Sequence, residues 1–419
     1  MHAYFRDNGR FIKDNGRWLG GGFLLMMFSF FGQTYFVGLT GEDLRAHFGL
    51  SAGQFGGFYM IATLLSSATL PWLGRTLDLM PGWKVARFTI PGLAAACVLL
   101  AFAPNLVVLV LALYLLRLFG QGMMTEIAYT ETGRWFVADR GRAMALVVLG
   151  LQGGAALIPL VAVYLERTGG WRLPWLGAAG LLALVAFPAI LKLLSVERVP
   201  RAREHHAKNA QRVRHWTRRE VLRDPILYLI LAGTLAPAFI GTTIFFYQGY
   251  LMDLRGYDPL VFAAAYPIMA LTTIVFGLLC GHLVDRLGAL RLLPFVLIPV
   301  TLSSLVIGLV APVWGIYLFM FLAGVGNGFS QTLLGALWPE VYGLANLGGI
   351  RAIVVSAMVL SSALGPSICG FFIDIGVALP RQMLWMAGWC VLASFGLLMA
   401  SRAARSRQWT SVQPQADGL

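Results

Sequence analysis

Charge is what this chain has least of. Asp, Glu, Lys and Arg together make up 12% of its 419 residues, about half the ~25% usual in soluble proteins. A chain of this length with so few charges has too little polar surface to coat a water-soluble globule. Cysteine is scarce as well. Cys97, Cys280, Cys369 and Cys390 each sit inside an apolar run, and none has Cys-x-x-Cys spacing. They read as small buried hydrophobes, so neither a disulfide framework nor a metal site is indicated. Catalytic signatures are missing too. There is no His-Glu-x-x-His, no paired catalytic Asp on helices, no Gly-x-Ser-x-Gly at membrane depth and no phosphate-cradling Gly-x-x-x-x-Gly-Lys-Ser/Thr loop. A polytopic enzyme would need the first kinds of cluster and an ATP-driven pump the last. The sequence therefore predicts no enzyme, no cofactor and no metal.

Apolar residues fill the space that charge leaves. The hydrophobic share is 58%. Counted with Gly and without Tyr it is roughly 66%, against ~45–50% in soluble chains. Disorder is excluded, because disordered chains are poor in apolar residues. Twelve runs approach the ~20 residues that one membrane-spanning helix needs. They fall near 18–40, 53–73, 85–103, 106–129, 143–165, 172–194, 225–250, 259–281, 289–311, 313–337, 347–373 and 381–402. Alternation is weak in all of them, which argues against an outer-membrane barrel. The first run is too long for a cleaved signal peptide. The expectation is an all-α membrane protein with twelve transmembrane helices.

The basic residues are distributed unevenly. With the amino end inside, 26 of the 32 Lys and Arg fall on the inner side, 5 on the outer side, and Arg117 within a helix. Basic loops face the cytoplasm, so both termini are expected there, in an inner (plasma) membrane. That asymmetry, rather than nucleic acid, accounts for the net charge of +13. The expected organisation is a basic amino-terminal tail 1–17, a six-helix bundle 18–194, a basic linker 195–224, a second bundle 225–402 and a disordered tail 403–419. The linker reads as a topology-setting segment. His205 and His206 within it are adjacent and do not share a helix face, so they suit no metal. At the amino end Asp7-Asn8-Gly9-Arg10 is repeated as Asp14-Asn15-Gly16-Arg17. Asn-Gly suggests turns there.

The two halves overlay on each other. Gly74-x-x-x-Asp78 recurs as Gly281-x-x-x-Asp285, and Tyr59 as Tyr266, all at an offset of 207. Gln33-Thr34 recurs as Thr242-Thr243 at 209, Asp43-Leu44-Arg45 as Asp253-Leu254-Arg255 at 210, and Gly120-Gln121-Gly122 as Gly326-Asn327-Gly328 at 206. Matches in order and at nearly constant offset indicate a duplicated six-helix unit, which is a transporter plan.

On these residues a family resemblance emerges. Gly281-x-x-x-Asp285-Arg286-x-Gly288-x-x-Arg291 resembles the loop motif of the major facilitator superfamily. The first-half copy keeps Gly74, Asp78, Gly82 and Lys84 but has Leu79 in place of the Arg. Arg117-Leu-Phe-Gly120-Gln121-Gly122 resembles the family's fourth-helix pattern. Arg134-Trp135-Phe136, Arg140-Gly141-Arg142-Ala143 and Gly170-Trp171-Arg172 are similar in style to its monocarboxylate and oxalate–formate branches. Those branches carry a basic residue in helix eight or eleven, where this chain has only the edge residue Arg351. The resemblance implies two pseudo-symmetric six-helix bundles rocking around a central site. It also implies a cytoplasmic gating motif made of Gly74, Asp78, Lys84, Gly281, Asp285, Arg286, Gly288 and Arg291, with Asp78, Lys84, Asp285, Arg286 and Arg291 carrying a charge latch. A proton or other ion would couple transport of a small molecule, with lipid the other partner, no nucleic acid bound, and the chain a monomer.

Candidate substrate and coupling residues follow from the cost of polarity in lipid. Arg117 lies deep in an apolar run, where a charge costs at least ~2.5–3.5 kcal/mol. It either binds an anionic substrate group or biases a carboxylate, or else it locks packing through backbone carbonyls. Glu126, nine residues on, falls on the opposite face of a straight helix at ~100° per residue. It is either a proton-coupling carboxylate, with a pKa raised by burial, or an interfacial Glu. Gln33, Tyr59, Gln121, Gln152, Tyr247, Tyr266, Asn327 and Gln331 are uncharged polar groups that must point inward. Some line a cavity and others join helices. Import or export of a small organic solute, drug or metabolite efflux, and a non-transporting sensor or scaffold all stay open at this point.

Overall fold

A computed structural model describes residues 2–136, 139–196, 216–343 and 346–412. Every described regular element is a helix, and each of the twelve predicted runs holds one. Among the described residues ten helices are long and apolar enough to cross a membrane. The pair Gly41–Phe48 and Ala52–Leu79, bent by 107°, makes an eleventh when counted as one span. The remaining run is filled by the 29-residue helix Trp314–Tyr342, which is diluted by Asn327, Ser330 and Gln331. Contacts divide the chain into two units, Met1–Asn209 with Phe245–Met252, and Ala210–Ile244 with Asp253–Leu419.

The first unit opens with α1 (His2–Phe28). The expected Asn-Gly turns are absent: both copies of the amino-terminal repeat are helical, because the segment is held by side-chain contacts with other helices. A 3-10 turn, Ser29–Gly32, and extended Gln33 then break the helix. The helices α2 (Thr34–Leu39), α3 (Gly41–Phe48), α4 (Ala52–Gly74) and α5 (Thr76–Leu79) follow. Ser51 starts α4 with a capping box, its hydroxyl accepting from Gln54 N and the Gln54 side chain accepting from Ser51 N. Such a box satisfies two orphan N–H groups of a helix start. Next come α6 (Gly82–Ala101), α7 (Leu106–Leu116), a π-turn at Arg117–Met124 and α8 (Thr125–Trp135). The unit closes with α9 (Arg140–Gly169), α10 (Arg172–Leu181), a second π-turn at Leu182–Ala186 and α11 (Phe187–Leu194).

Small residues set the spacing. A Cβ on Gly150 would lie 2.0 Å from Phe23 O, and one on Gly154 2.7 Å from Met27 O. The backbones of α1 and α9 therefore touch, as small residues permit in lipid, where packing rather than water exclusion drives association.

The second unit holds α12 (Arg218–Arg223), α13 (Pro225–Phe246) as far as Ile244, and α15 (Pro259–Leu287), while α14 (Gln248–Arg255) belongs as far as Met252 to the first unit. The second unit continues through α16 (Ala289–Leu292), α17 (Ile298–Leu309), α18 (Trp314–Tyr342), α19 (Leu347–Asp374) and α20 (Leu379–Val412). Here α15 and α18 pack tightly. A Cβ on Gly324 would meet Met269 O at 2.5 Å, and one on Gly328 would meet Thr273 O at 2.5 Å and Gly277 N at 2.7 Å.

Several boundaries differ from expectation. The tail expected to be disordered from residue 403 starts as helix, since α20 runs on to Val412. Helices α8, α15 and α18 continue about one and a half turns past their predicted runs. Hydropathy marks the hydrocarbon edge, whereas backbone hydrogen bonds carry a helix on into the polar layer. Most of the linker, 197–215, lies outside the described residues.

Candidate functional site

The deep site of the first unit is built where two helices break side by side. In the α1–α2 segment the 3-10 turn ends at Gly32, and Gln33 is extended at φ −81°, ψ 153°. Opposite it, the chain after α7 winds into the π-turn that begins at Arg117. Gly32 and Gly120 interlock these breaks. A Cβ on Gly120 would lie 2.5 Å from Gly32 Cα, and one on Gly32 2.2 Å from Leu116 O. The π-turn frees carbonyls, and the Thr125 hydroxyl donates to two of them, Gln121 O at 2.6 Å and Gly122 O at 2.8 Å. Side-chain hydroxyls are the usual means of satisfying a disturbed helix inside a membrane.

This junction places Arg117 beside Thr34. The guanidinium is buried, 5% exposed. Its Nη1 donates to Thr34 Oγ1 at 3.1 Å, and Thr34 Oγ1 shares a 2.5 Å hydrogen bond with the Tyr59 hydroxyl. The same guanidinium lies over the Tyr59 ring, 5.3 Å from its centroid. Cation–π attraction strengthens when both groups are desolvated. Among the described residues no carboxylate pairs with Arg117. A buried positive charge is thus held by a hydroxyl and a ring but left without a counter-charge.

The other expected substrate residues are distributed as follows. Gln33 and Gln152 are buried, at 7% and 9% exposed. Gln121 lies in the π-turn with Oε1 buried and without a hydrogen-bond partner among the described residues. Glu126 is exposed, which fits the interfacial alternative for it rather than the buried one. It also does not lie opposite Arg117, because a π-turn takes up an extra residue. Nine steps then act like about eight, ~800°, leaving Glu126 ~80° from the Arg117 face.

Tyr247 is fully buried, and its hydroxyl donates to Ala52 O at 2.8 Å, ending the break between α13 and α14 against the start of α4. Its neighbour Gln248 donates to Tyr35 O at 2.9 Å and to Phe245 O at 3.0 Å. In the second unit Tyr266 is fully buried, with its ring 5.8 Å from Phe262. Asn327 is half-buried, and Gln331 on the same helix is exposed.

The loop motifs form a different network from the one expected. Asp78 is exposed and pairs with Arg134 at 3.6 Å. Arg134 also pairs with Glu131 at 3.2 Å. Glu131 is 4% exposed, and its Oε1 accepts from Gly82 N at 3.1 Å, capping the start of α6. A carboxylate there satisfies an orphan N–H and complements the helix dipole. Lys84 takes no part in an ion pair among the described residues; its ammonium lies 5.6 Å from the Trp83 ring.

In the second unit Glu340 plays the part of Glu131. Its Oε2 accepts from Ala289 N at 2.7 Å at the start of α16. Gly288 precedes that start with φ +83°, and a Cβ there would lie 3.2 Å from Glu340 Oε1. Asp285, Arg286 and Arg291 are exposed and make no ion pair among the described residues. A Cβ on Gly281 would meet Thr332 Cγ2 only at an ordinary 3.8 Å, and one on Gly74 would meet nothing within 4 Å, so neither glycine is needed for close approach. Glu131 and Glu340 lie outside the set of residues expected to form the latch. Their spacing of 209, inside the 206–210 range of the internal repeat, was the signal that could have promoted them.

Comparison with known proteins accords with this architecture. The family model described as Major Facilitator Superfamily matches residues 22–366 and 247–412. Among solved structures, a bacterial homolog of the human lysosomal transporter Spinster, inward-facing and unoccupied, aligns with a TM-score of 0.68 at 16% identity, covering 94% of this chain and 98% of that one. The occupied, inward-facing form of that homolog aligns with a TM-score of 0.68 at 16% identity, covering 92% and 96%. A search of curated proteins finds no match. A family model that spans the chain, an all-helical fold of the same kind and helices fit to cross a membrane identify a multi-pass membrane transporter rather than an enzyme, and the chain belongs to the major facilitator superfamily.

Proposed function

We propose that this secondary transporter moves a small organic anion by alternating access, with Arg117, Thr34 and Tyr59 as the anion-binding core of the first six-helix bundle. The observation that carries this reading is the buried guanidinium, which among the described residues pairs with no carboxylate. A desolvated charge needs a counter-charge, and a substrate carboxylate supplies one only while bound. Gln33, Gln121 and Gln152 offer amide donors and acceptors for the rest of the solute. Tyr266, Asn327 and Gln331 are the candidate polar residues of the second bundle taken by itself. Tyr247 is a packing residue in this reading.

Protons are the proposed coupling ion, and Glu126 is the acceptor. The loop style favours monocarboxylates or dicarboxylates. The 26-to-5 split of basic residues supports an inner-membrane protein with both termini in the cytoplasm, and the basic segment 195–224 as the link between bundles. Asp78, with Gly74, Lys84, Gly281, Asp285, Arg286, Gly288 and Arg291, makes up the proposed cytoplasmic gating motif.

Uptake of radiolabelled formate, lactate and oxalate into proteoliposomes, with and without a pH gradient, tests the reading. Arg117→Ala should weaken apparent affinity by ~10–100-fold, the loss of one charged hydrogen bond worth ~1.5–3 kcal/mol, while Arg117→Lys retains part of it. Uptake indifferent to Arg117→Ala would overturn the proposal.

A further inference from the structure

The tandem Asp-Asn-Gly-Arg segment at the amino end has no place in the transport site. Its copies are seven residues apart, ~700° around a helix, so equivalent residues return to nearly one face. That face is engaged twice within the first unit. In the second copy, Arg17 Nε donates to Leu193 O at 3.0 Å, and its Nη2 donates to Lys192 O and to Ser195 Oγ. Trp18 Nε1 donates to Val196 O at 2.8 Å. Lys192 O and Leu193 O belong to the last turn of α11, and Val196 O and the Ser195 hydroxyl to the first residues of the linker; Ser195 Oγ itself donates to Lys192 O. The closing carbonyls of a helix lack backbone N–H partners and favour a cation. Beside the first copy, the Phe11 ring lies 5.6 Å from Phe136, and the Arg142 guanidinium sits 4.4 Å over it. Asn15 Nδ2 donates to Phe11 O at 2.9 Å, joining the two contact points along α1.

Phe136 comes two residues after Arg134, the residue that pairs with Asp78 and Glu131. The amino-terminal extension is continuous with the membrane part of α1. It therefore fastens three things to one rigid rod: the exit of the fourth span, the start of the fifth at Arg142 and the end of the sixth.

We propose that residues 10–18 are a cytoplasmic brace, which holds the loop after α8 and the end of α11 in place and thereby sets the balance between the transporter's conformations. This goes beyond the anion reading and does not need the substrate to be known. A basic tail that merely fixes topology would need charge alone, not an indole N–H, a guanidinium and a phenyl ring each placed on a specific partner.

The test uses full-length protein in lipid nanodiscs. Hydrogen–deuterium exchange is measured across 188–196, and spin-label distances are measured between Leu79→Cys and Leu287→Cys, which are exposed while the four native cysteines are buried. In an Arg17→Ala, Trp18→Phe double variant, exchange in 188–196 should rise at least fivefold and the weights of the distance distribution should change at least threefold. Phe11→Ala should act in the same direction on 139–146. Arg17→Lys, the milder change, should fall between. Unchanged exchange would show that the contacts hold nothing. Faster exchange with an unchanged distance distribution would reduce the segment to a helix cap and overturn the proposal.

Discussion

Gly120→Ala tests the physical basis of the site most directly. The added Cβ would sit 2.5 Å from Gly32 Cα and 2.8 Å from Gly32 N. Both are backbone atoms, so no side chain can rotate away and the two breaks must separate. Forcing a methyl into a packed interior costs ~1–3 kcal/mol. A separation of even a few tenths of an ångström lengthens the 3.1 Å bond from Arg117 to Thr34. The control is Gly57→Ala in α4, where a Cβ would meet nothing within 4 Å. There the usual helix preference for Ala should stabilise by ~0.5–1 kcal/mol. Thermal unfolding in detergent should show the two variants moving in opposite directions, at roughly 2–4 °C per kcal/mol for a unit of ~150–250 residues. Anion binding followed by tryptophan fluorescence should weaken in Gly120→Ala and not in Gly57→Ala. If Gly120→Ala melts with the control and binds like the parent, the interlock of Gly32 and Gly120 does not position Arg117.

Glu131→Ala removes the cap on Gly82 and the partner of Arg134 together. It should cost ~1–3 kcal/mol, and Glu340→Ala should cost a similar amount in the second unit, both read as a loss of thermal stability. Should Glu131→Ala be neutral, the capping argument fails. Gly288→Ala forces a Cβ into φ +83° beside Glu340, and left-handed backbone costs ~1–2 kcal/mol for a residue with a Cβ. A melting temperature equal to the parent would refute the strain. Glu126→Gln should abolish accumulation driven by a pH gradient while leaving downhill exchange intact. Accumulation that persists would remove Glu126 from the coupling role.

The fold class was legible because membrane burial is written in one dimension. A run such as 259–281 must be helical in lipid whatever its neighbours are, since no water is there to satisfy its backbone. The duplicated Gly-x-x-x-Asp loops and the lone cation at Arg117 were legible for the same reason: both are departures from an apolar background. What the residue order hid was the relation between elements. Nothing in Arg117-Leu-Phe-Gly-Gln-Gly announces a π-turn, because the extra residue is accommodated by the facing Gly32 and by the Thr125 hydroxyl. For that reason a straight-helix projection sent Glu126 to the opposite face. The repeat at the amino end suggested turns by local preference, and tertiary contacts of Phe11, Arg17 and Trp18 made it helix instead.

Composition and hydropathy by themselves determined that this chain is an all-helical membrane protein with a charge at depth. Tertiary structure alone decided what that charge meets. Hydrogen bonds and close approaches act over about 3 Å between residues as distant as Thr34 and Arg117. Such distances follow from how two backbones cross, which no periodicity along a single helix records.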